Sequence, residues 1–354
     1  MRMAPSVHII GCGLIGTSIA LSLNKCGYSV SLEDINADHV SQALHMGLPE
    51  TASVKQPRPE IVFVCVPPSA AAKTLNEAFT NYGESLLLDV SSVRNSIIAE
   101  LNAELTQSGR VMGAHPMAGR EVAGPGAARA DLFQNRIWVL TQGNAESQAR
   151  ATELVTHMGG LVVTMNPEDH DRAVALISHV PQLVSSTLAA QLLDADQMDL
   201  SISGAGLADA IRIAGSDPQL WGDILHGNAT EISRVLRRVS IELGELSTAL
   251  ETHDRERVEL TLRAGNKGKL RIPGKHGTGQ NRFESVSVMI SDQPGALAEL
   301  FSGVGALNIN LEDVRIEHVM GAPSGIVQLF VPVGQSEALD QGLQDQGFDT
   351  RGRQ

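Results

Sequence analysis

Six short apolar runs, Val7–Ile10, Val30–Leu32, Ile61–Val66, Leu86–Val90, Val111–Met112 and Trp138–Leu140, are separated by longer amphipathic stretches up to about Val163. Short unbroken apolar runs alternating with helical patterns predict strands buried on both faces, and so a parallel sheet covered by helices. After Pro167 the strand-like runs stop and long helical patterns take over. From Trp221 to Leu250 apolar residues recur at steps of three, four and seven, among them Ile224, Ile232, Val235, Val239, Leu243 and Leu246. That spacing predicts one helix of about 45 Å at 1.5 Å per residue. Such a helix outreaches the core of one small domain, so its stripe predicts a helical dimer interface. Residues 266–282, rich in Gly, Lys and Arg, fit neither period and read as a linker. Beyond it, Phe283 to about Asp349 reads strand, helix, strand, strand, helix, strand, a small α+β unit. The predicted domains are 1–165 (α/β, Rossmann-type), 166–265 (all-helical), the linker 266–282 and the α+β unit 283–354.

Composition narrows the function. The chain has 354 residues, 42% hydrophobic and 19% charged, with a formal net charge of −13. That balance argues against non-specific attraction to nucleic acid or an anionic membrane, so an anionic ligand needs a locally basic pocket. Cys12, Cys26 and Cys65 are too scattered for a disulfide framework or a paired-spacing zinc site, which predicts reduced thiols, no metal and a cytoplasmic location. No run of about 18 uninterrupted apolar residues predicts a membrane span.

The first run leads into Gly11-Cys12-Gly13-Leu14-Ile15-Gly16 and then a helical pattern, GxGxxG in a strand-to-helix setting. Gly11 serves the tight turn, Gly13 lets a pyrophosphate approach the backbone, and Gly16 lets the helix pack on the strand. The second strand ends in Leu32-Glu33-Asp34, and Asp34 lies 18 residues past Gly16, where a carboxylate accepts both ribose hydroxyls of NAD and repels the phosphate of NADP. Glu33 is the alternative ribose ligand, and alternation alone does not choose between the two.

Oxidation of an alcohol by NAD needs a base for the hydroxyl proton and usually a cation for a carboxylate. His115, in Gly113-Ala114-His115-Pro116-Met117-Ala118-Gly119, follows an apolar pair and so falls at the carboxyl end of a strand, where open α/β sheets bind ligands. Asp89-Val90-Ser91-Ser92-Val93-Arg94 ends another strand and brings two hydroxyls and a guanidinium to the same edge, with a helix N-cap at Ser91 or Ser92 as the plainer role. In Ser178-His179-Val180-Pro181-Gln182, Pro181 predicts a kink, and Ser178 and Gln182 share a helix face while His179 points elsewhere. Arg212 precedes a helix start at Asp217-Pro218, placed to fork onto a carboxylate or to make a surface salt bridge.

These motifs, in this order, resemble the prephenate dehydrogenase family of tyrosine biosynthesis over roughly residues 7–275; the C-terminal unit resembles an ACT domain of ferredoxin-like α+β fold. The resemblance implies NAD-dependent oxidative decarboxylation of prephenate to 4-hydroxyphenylpyruvate. His115 takes the hydroxyl proton with Ser92 as its hydrogen-bonding partner, Arg212 holds the ring carboxylate, and Trp221 helps close a pocket that Ser178 and Gln182 line. It favours Asp34 over Glu33 and adds Leu14, Ile15 and Val66 to the cofactor contacts. It also implies a homodimer with feedback control by an aromatic amino acid at Asp292, Gly295 and Asn308. Two departures stand out: Gln182 where many relatives have histidine, and Leu207–Ile211 without the residues often found before the arginine. An acid at the position of Gln182 suits arogenate, so neutral glutamine favours prephenate. The competing readings are an arogenate dehydrogenase and a non-catalytic sensor of NAD and an amino acid.

Overall fold

The computed structural model describes residues 5–54, 58–119, 122, 124–141, 143–272, 283–318 and 324–353. It divides into two units, residues 1–242 and 243–354, with the boundary inside the helix Ala229–Glu251.

The first unit is built on seven strands, β1 (Ser6–Ile10), β2 (Ser29–Glu33), β3 (Ile61–Val64), β4 (Leu86–Asp89), β5 (Val111–Pro116), β6 (Ile137–Thr141) and β7 (Leu161–Thr164), in the order β2-β1-β3-β4-β5-β6-β7. β3 and β4 are buried at every position, as unbroken apolar runs covered on both faces must be. One face buries Ile9, Ile19, Phe63, Leu88 and Trp138; the other buries Val62, Leu75, Leu87 and Val93. β1 lies between β2 and β3, so the chain reverses direction across the sheet beside the end of β1, the position at which such sheets open a ligand crevice.

The sheet is not wholly parallel. β6 runs antiparallel to β5, with His115 opposite Val139, while β7, absent from the predicted strands, runs parallel to β6. Among the described residues between β5 and β6 the only helical element is the single 3-10 turn Pro125–Ala127, and an antiparallel neighbour needs no crossover helix.

The helical part of this unit begins at Pro167. The helix Pro167–Val174 passes into a π turn at Ala175–His179 and then into the helix Val180–Ala190. Pro181, the position of the expected kink, lies in the first turn of the helix Val180–Ala190, directly after this widened turn. Proline has no N–H to donate and its ring crowds the carbonyl four residues back, and the wider turn relieves both. The single helix expected from Trp221 to Leu250 is two, Pro218–Gly227 and Ala229–Glu251, separated at the buried Asn228. Asn228 leaves helical geometry, and its amide donates to the Asp171 carbonyl at 2.7 Å, a bond that ties the break to the first helix. On the second helix Ile232 and Val235 are buried, whereas Leu236 and Ile241 are exposed.

The continuous helical stretch 167–194 has the length and mean hydropathy of a membrane span, but about a third of it is buried inside the unit, and it carries His170, Asp171 and Arg172.

In the second unit the helix Arg255–Lys269 occupies the start of the segment expected to be linker; residues 270–272 turn away from it, and 273–282 lie outside the described residues. β8 (Phe283–Ser291), β9 (Asp313–His318), β10 (Ser324–Pro332) and β11 (Asp349–Arg353) form an antiparallel sheet in the order β11-β8-β10-β9. Strict alternation along β10 turns Val327, Leu329 and Val331 toward Leu300, Val304, Leu339 and Leu343 of the helices Ala296–Ala306 and Ser336–Asp345.

Candidate active site

The glycine-rich turn is packed where it must be and open where a ligand would come. Gly11 has φ +98°, and a side-chain carbon there would lie 2.4 Å from the Cys65 carbonyl oxygen; one at Gly16 would lie 1.9 Å from the Gly11 carbonyl oxygen. At Gly13, the N-cap of the helix Leu14–Lys25, nothing lies within 4 Å. Asp34 closes the far side: its carboxylate accepts the Cys12 N–H at 2.6 Å and the Asn36 N–H at 2.8 Å. Glu33 instead meets the buried His8 Nε2 at 3.1 Å, so the two acids point to opposite faces and Asp34 is the one beside the glycines. The Cys12 thiol is pushed up to about 12, chiefly by burial and then by Asp34, which makes it an inert filler of the turn. These residues fit a dinucleotide: a close-approach turn, a helix N-terminus for its phosphates and a carboxylate for its ribose.

A second group of side chains gathers at the carboxyl end of β5. His115 Nδ1 lies 2.9 Å from His170 Nε2, with the rings nearly edge to face, and His170 Nδ1 lies 2.8 Å from Asp171 Oδ1. Asp171 also accepts the backbone N–H groups of Arg94 (2.9 Å) and Asn95 (2.8 Å) at the start of the helix Asn95–Ala99. That helix is therefore capped by a carboxylate from a distant helix and not by Ser91 or Ser92, because Ser91 is turned back onto Asp89. The hydrogen bond expected between Ser92 and His115 is not made; Ser92 is half-buried, and His170 occupies Nδ1 of His115.

The Arg94 guanidinium is not offered to a ligand either. It is buried against Asp89 (2.7 Å) and donates to the Ser91 carbonyl. Burial, then the neighbouring His170, Arg94 and His179, hold the His115 imidazole well below its usual value, so the ring is a neutral base at physiological pH.

His179 is almost fully buried, with Nδ1 3.3 Å from the Asn228 amide and its ring edge-on to half-buried Trp221. Burial draws it down to about 4 against the opposing pull of Asp171. The unfolded chain thus binds a proton near pH 6.5 that the folded chain refuses until about pH 4, and stability is lost as the pH falls through that window. In urea unfolding, the stability difference between wild type and His179→Gln is expected to shrink by on the order of 3 kcal/mol between pH 7 and pH 4. A difference that does not change with pH would show that His179 is not held neutral.

Gln182 is buried and donates to the Ile213 carbonyl at 2.9 Å, holding the 3-10 turn Arg212–Gly215 that carries Arg212. Arg212 lines a cavity of about 430 Å³, otherwise walled largely by apolar groups such as Leu176, Val180, Ile213 and Val235. Ser178 lies half-buried in the π turn. In the second unit Asp292 and Gly295 line a hollow of about 250 Å³, whose walls do not include Asn308; Asn308 lies just past the end of the helix Ala296–Ala306, with φ +55°. Among the described residues no group of three or more His, Cys, Asp or Glu is placed to hold a metal ion.

Comparison with known proteins decides the family. Residues 19–164 match the prephenate dehydrogenase nucleotide-binding domain, and residues 166–264 match the prephenate dehydrogenase dimerization domain. The "Probable prephenate dehydrogenase NovF" of Streptomyces niveus is 31% identical over 348 residues, 94% of this chain and 95% of that one. The chain belongs to the prephenate dehydrogenase family. Among solved structures of relatives, prephenate dehydrogenase from A. aeolicus in complex with hydroxyphenyl propionate and NAD+ superimposes with a TM-score of 0.66 at 25% identity, covering 76% of this chain and 98% of the other. Synechocystis arogenate dehydrogenase gives 0.61 at 25% identity, covering 74% and 98%.

In this family member the residues missed from the sequence are His170 and Asp171. They follow Asn166-Pro167-Glu168-Asp169, an ordinary capped helix start, and nothing local distinguishes a buried His-Asp pair from first-turn polar residues.

Proposed function

We propose that this chain is a prephenate dehydrogenase that converts prephenate and NAD to 4-hydroxyphenylpyruvate, CO2 and NADH in tyrosine biosynthesis. The observation that carries the reading is a half-buried His115 at the carboxyl end of β5, held through Nδ1 by His170, in a chain whose turn after β1 fits NAD. Bound NAD supplies the acceptor for the hydride from the ring carbon that bears the hydroxyl. His115 takes the hydroxyl proton, and loss of the ring carboxylate as CO2 makes the ring aromatic. Arg212 and the turn that Gln182 holds engage substrate carboxylate, with Ser92, Ser178 and Trp221 completing the pocket. Gly11, Gly13, Leu14, Ile15, Gly16, Asp34 and Val66 hold the cofactor.

The exposed apolar positions of the helical region suit a homodimer. We assign the C-terminal unit as an ACT domain whose hollow at Asp292 and Gly295 takes an aromatic amino acid that restrains the enzyme, and we place the enzyme in the cytoplasm.

The test is the appearance of NADH absorbance with prephenate and, separately, with arogenate. Turnover of prephenate with little of arogenate is expected. The likeness to an arogenate dehydrogenase supports the second reading, which preference for arogenate would establish. Silence with both, despite NAD binding, would refute an enzymatic role. Arg212→Gln is expected to raise KM for prephenate by about tenfold to a hundredfold, the loss of a charge-assisted bond, with a smaller change in kcat. An unchanged KM would remove Arg212 from the substrate site.

A further inference from the structure

We propose that His170 and Asp171 act as positioning residues that hold His115 in the tautomer with its proton on Nδ1, leaving Nε2 as the base. This rests on the reading of His115 as the acceptor of the substrate proton.

The assignment follows from which atoms can donate. Both oxygens of the Asp171 carboxylate already accept backbone N–H groups, Oδ1 from Arg94 and Oδ2 from Asn95, and the side chain is buried. A carboxylate in that setting has only acceptor capacity, so the 2.8 Å contact to Oδ1 requires an N–H on His170 Nδ1. A ring that carries its one proton on Nδ1 presents a bare Nε2, which can only accept. At 2.9 Å its partner, His115 Nδ1, must supply the proton. His115 Nε2 is left with its lone pair, the state a general base needs. The chain of donors begins at two main-chain amides, which cannot change protonation, so the order is set by the fold. His170 is fully buried and Asp171 nearly so, and neither is exchanged for water. Histidine ligands and bases are commonly oriented through the second ring nitrogen in this way.

Replacement at 170 separates positioning from packing. His170→Gln keeps an amide oxygen within reach of His115 Nδ1, whereas His170→Asn is too short to reach it. With prephenate as substrate, His170→Asn is expected to lower kcat by about tenfold to a hundredfold with KM for prephenate and NAD within twofold, and His170→Gln is expected to recover at least tenfold of that loss. In a His115→Asn background the same substitutions are expected to have no further effect, because the base they orient is gone. Equal activity of the two variants, or a loss that persists undiminished in the His115→Asn background, would overturn the positioning role.

A second measurement needs neither turnover nor a variant. Nitrogen-15 shifts of histidine-labelled wild-type protein should show His115 protonated at Nδ1 and bare at Nε2, and the reverse would refute the proposal outright. Wild-type silence on prephenate and arogenate, combined with the expected tautomer, would instead count against the enzymatic reading while leaving the relay intact.

Discussion

His115→Asn is expected to lose two to four orders of magnitude in turnover of prephenate while binding NAD as tightly as the wild type, the range characteristic of removing a positioned acid-base group. Asparagine carries an amide near the position of Nδ1, so the contact to His170 can be kept and the surrounding helices have no reason to move. What disappears is the second ring nitrogen. The cofactor turn, with Gly11, Gly13 and Asp34, follows β1, which β3 and β4 separate from the strand that carries His115, and is unaffected. Burial also predicts the wild-type pH profile. A base held well below its usual value stays deprotonated through neutrality, so the acid limb of kcat/KM should fall below pH 6.5 and should be absent from the residual activity of the variant. Steady-state rates and NAD titration, with intrinsic fluorescence as the binding signal, measure both halves. A variant that retains most of its rate would remove His115 as the base.

The sequence exposed the parts of this site that local chemistry dictates. A glycine whose side-chain carbon would strike a carbonyl oxygen leaves a signature, as Gly11 and Gly16 do, and a strand-end histidine among glycine and proline does too. The choice between Glu33 and Asp34 was legible only with the partner of each in view: His8 for one, the Cys12 amide for the other. Contacts between distant segments were not legible. Asp171 reaches Arg94 and Asn95 across more than seventy residues, and from either end alone the serines after β4 were the better candidate caps. The single long helix failed for a similar reason. Its apolar stripe continues through Asn228 with the right period, and the break comes from an amide hydrogen bond to Asp171 that periodicity does not encode. The reversal of β6 likewise depended on how the chain returned from β5, which the apolar run of the strand does not record.

The buried pair behind His115 should give the largest stability effect. Arg94 and Asp89 are each about 2% exposed and 2.7 Å apart, and the guanidinium also donates to the Ser91 carbonyl. Arg94→Met keeps the unbranched stem and the main-chain N–H that Asp171 accepts, so it isolates the charge. It leaves the Asp89 carboxylate buried with only the two bonds from Ser91, a stranded charge that typically costs about 3–5 kcal/mol. The pair itself need contribute little beyond this, because desolvating both ions offsets much of their attraction. The double variant Asp89→Asn with Arg94→Met is therefore expected to be more stable than Arg94→Met alone, although it has lost more of the native groups. Unfolding in urea, with each variant compared at pH 7, reads both values. If the double variant were the less stable of the two, the cost of Arg94→Met would have to come from lost packing. The guanidinium lies against the backbone of Gly113, where a side-chain carbon would be 2.4 Å from its terminal nitrogen, two residues before His115. On that outcome the arginine would act as a strut under β5, and Arg94→Lys, which restores charge without the planar fork, would fail to recover the stability.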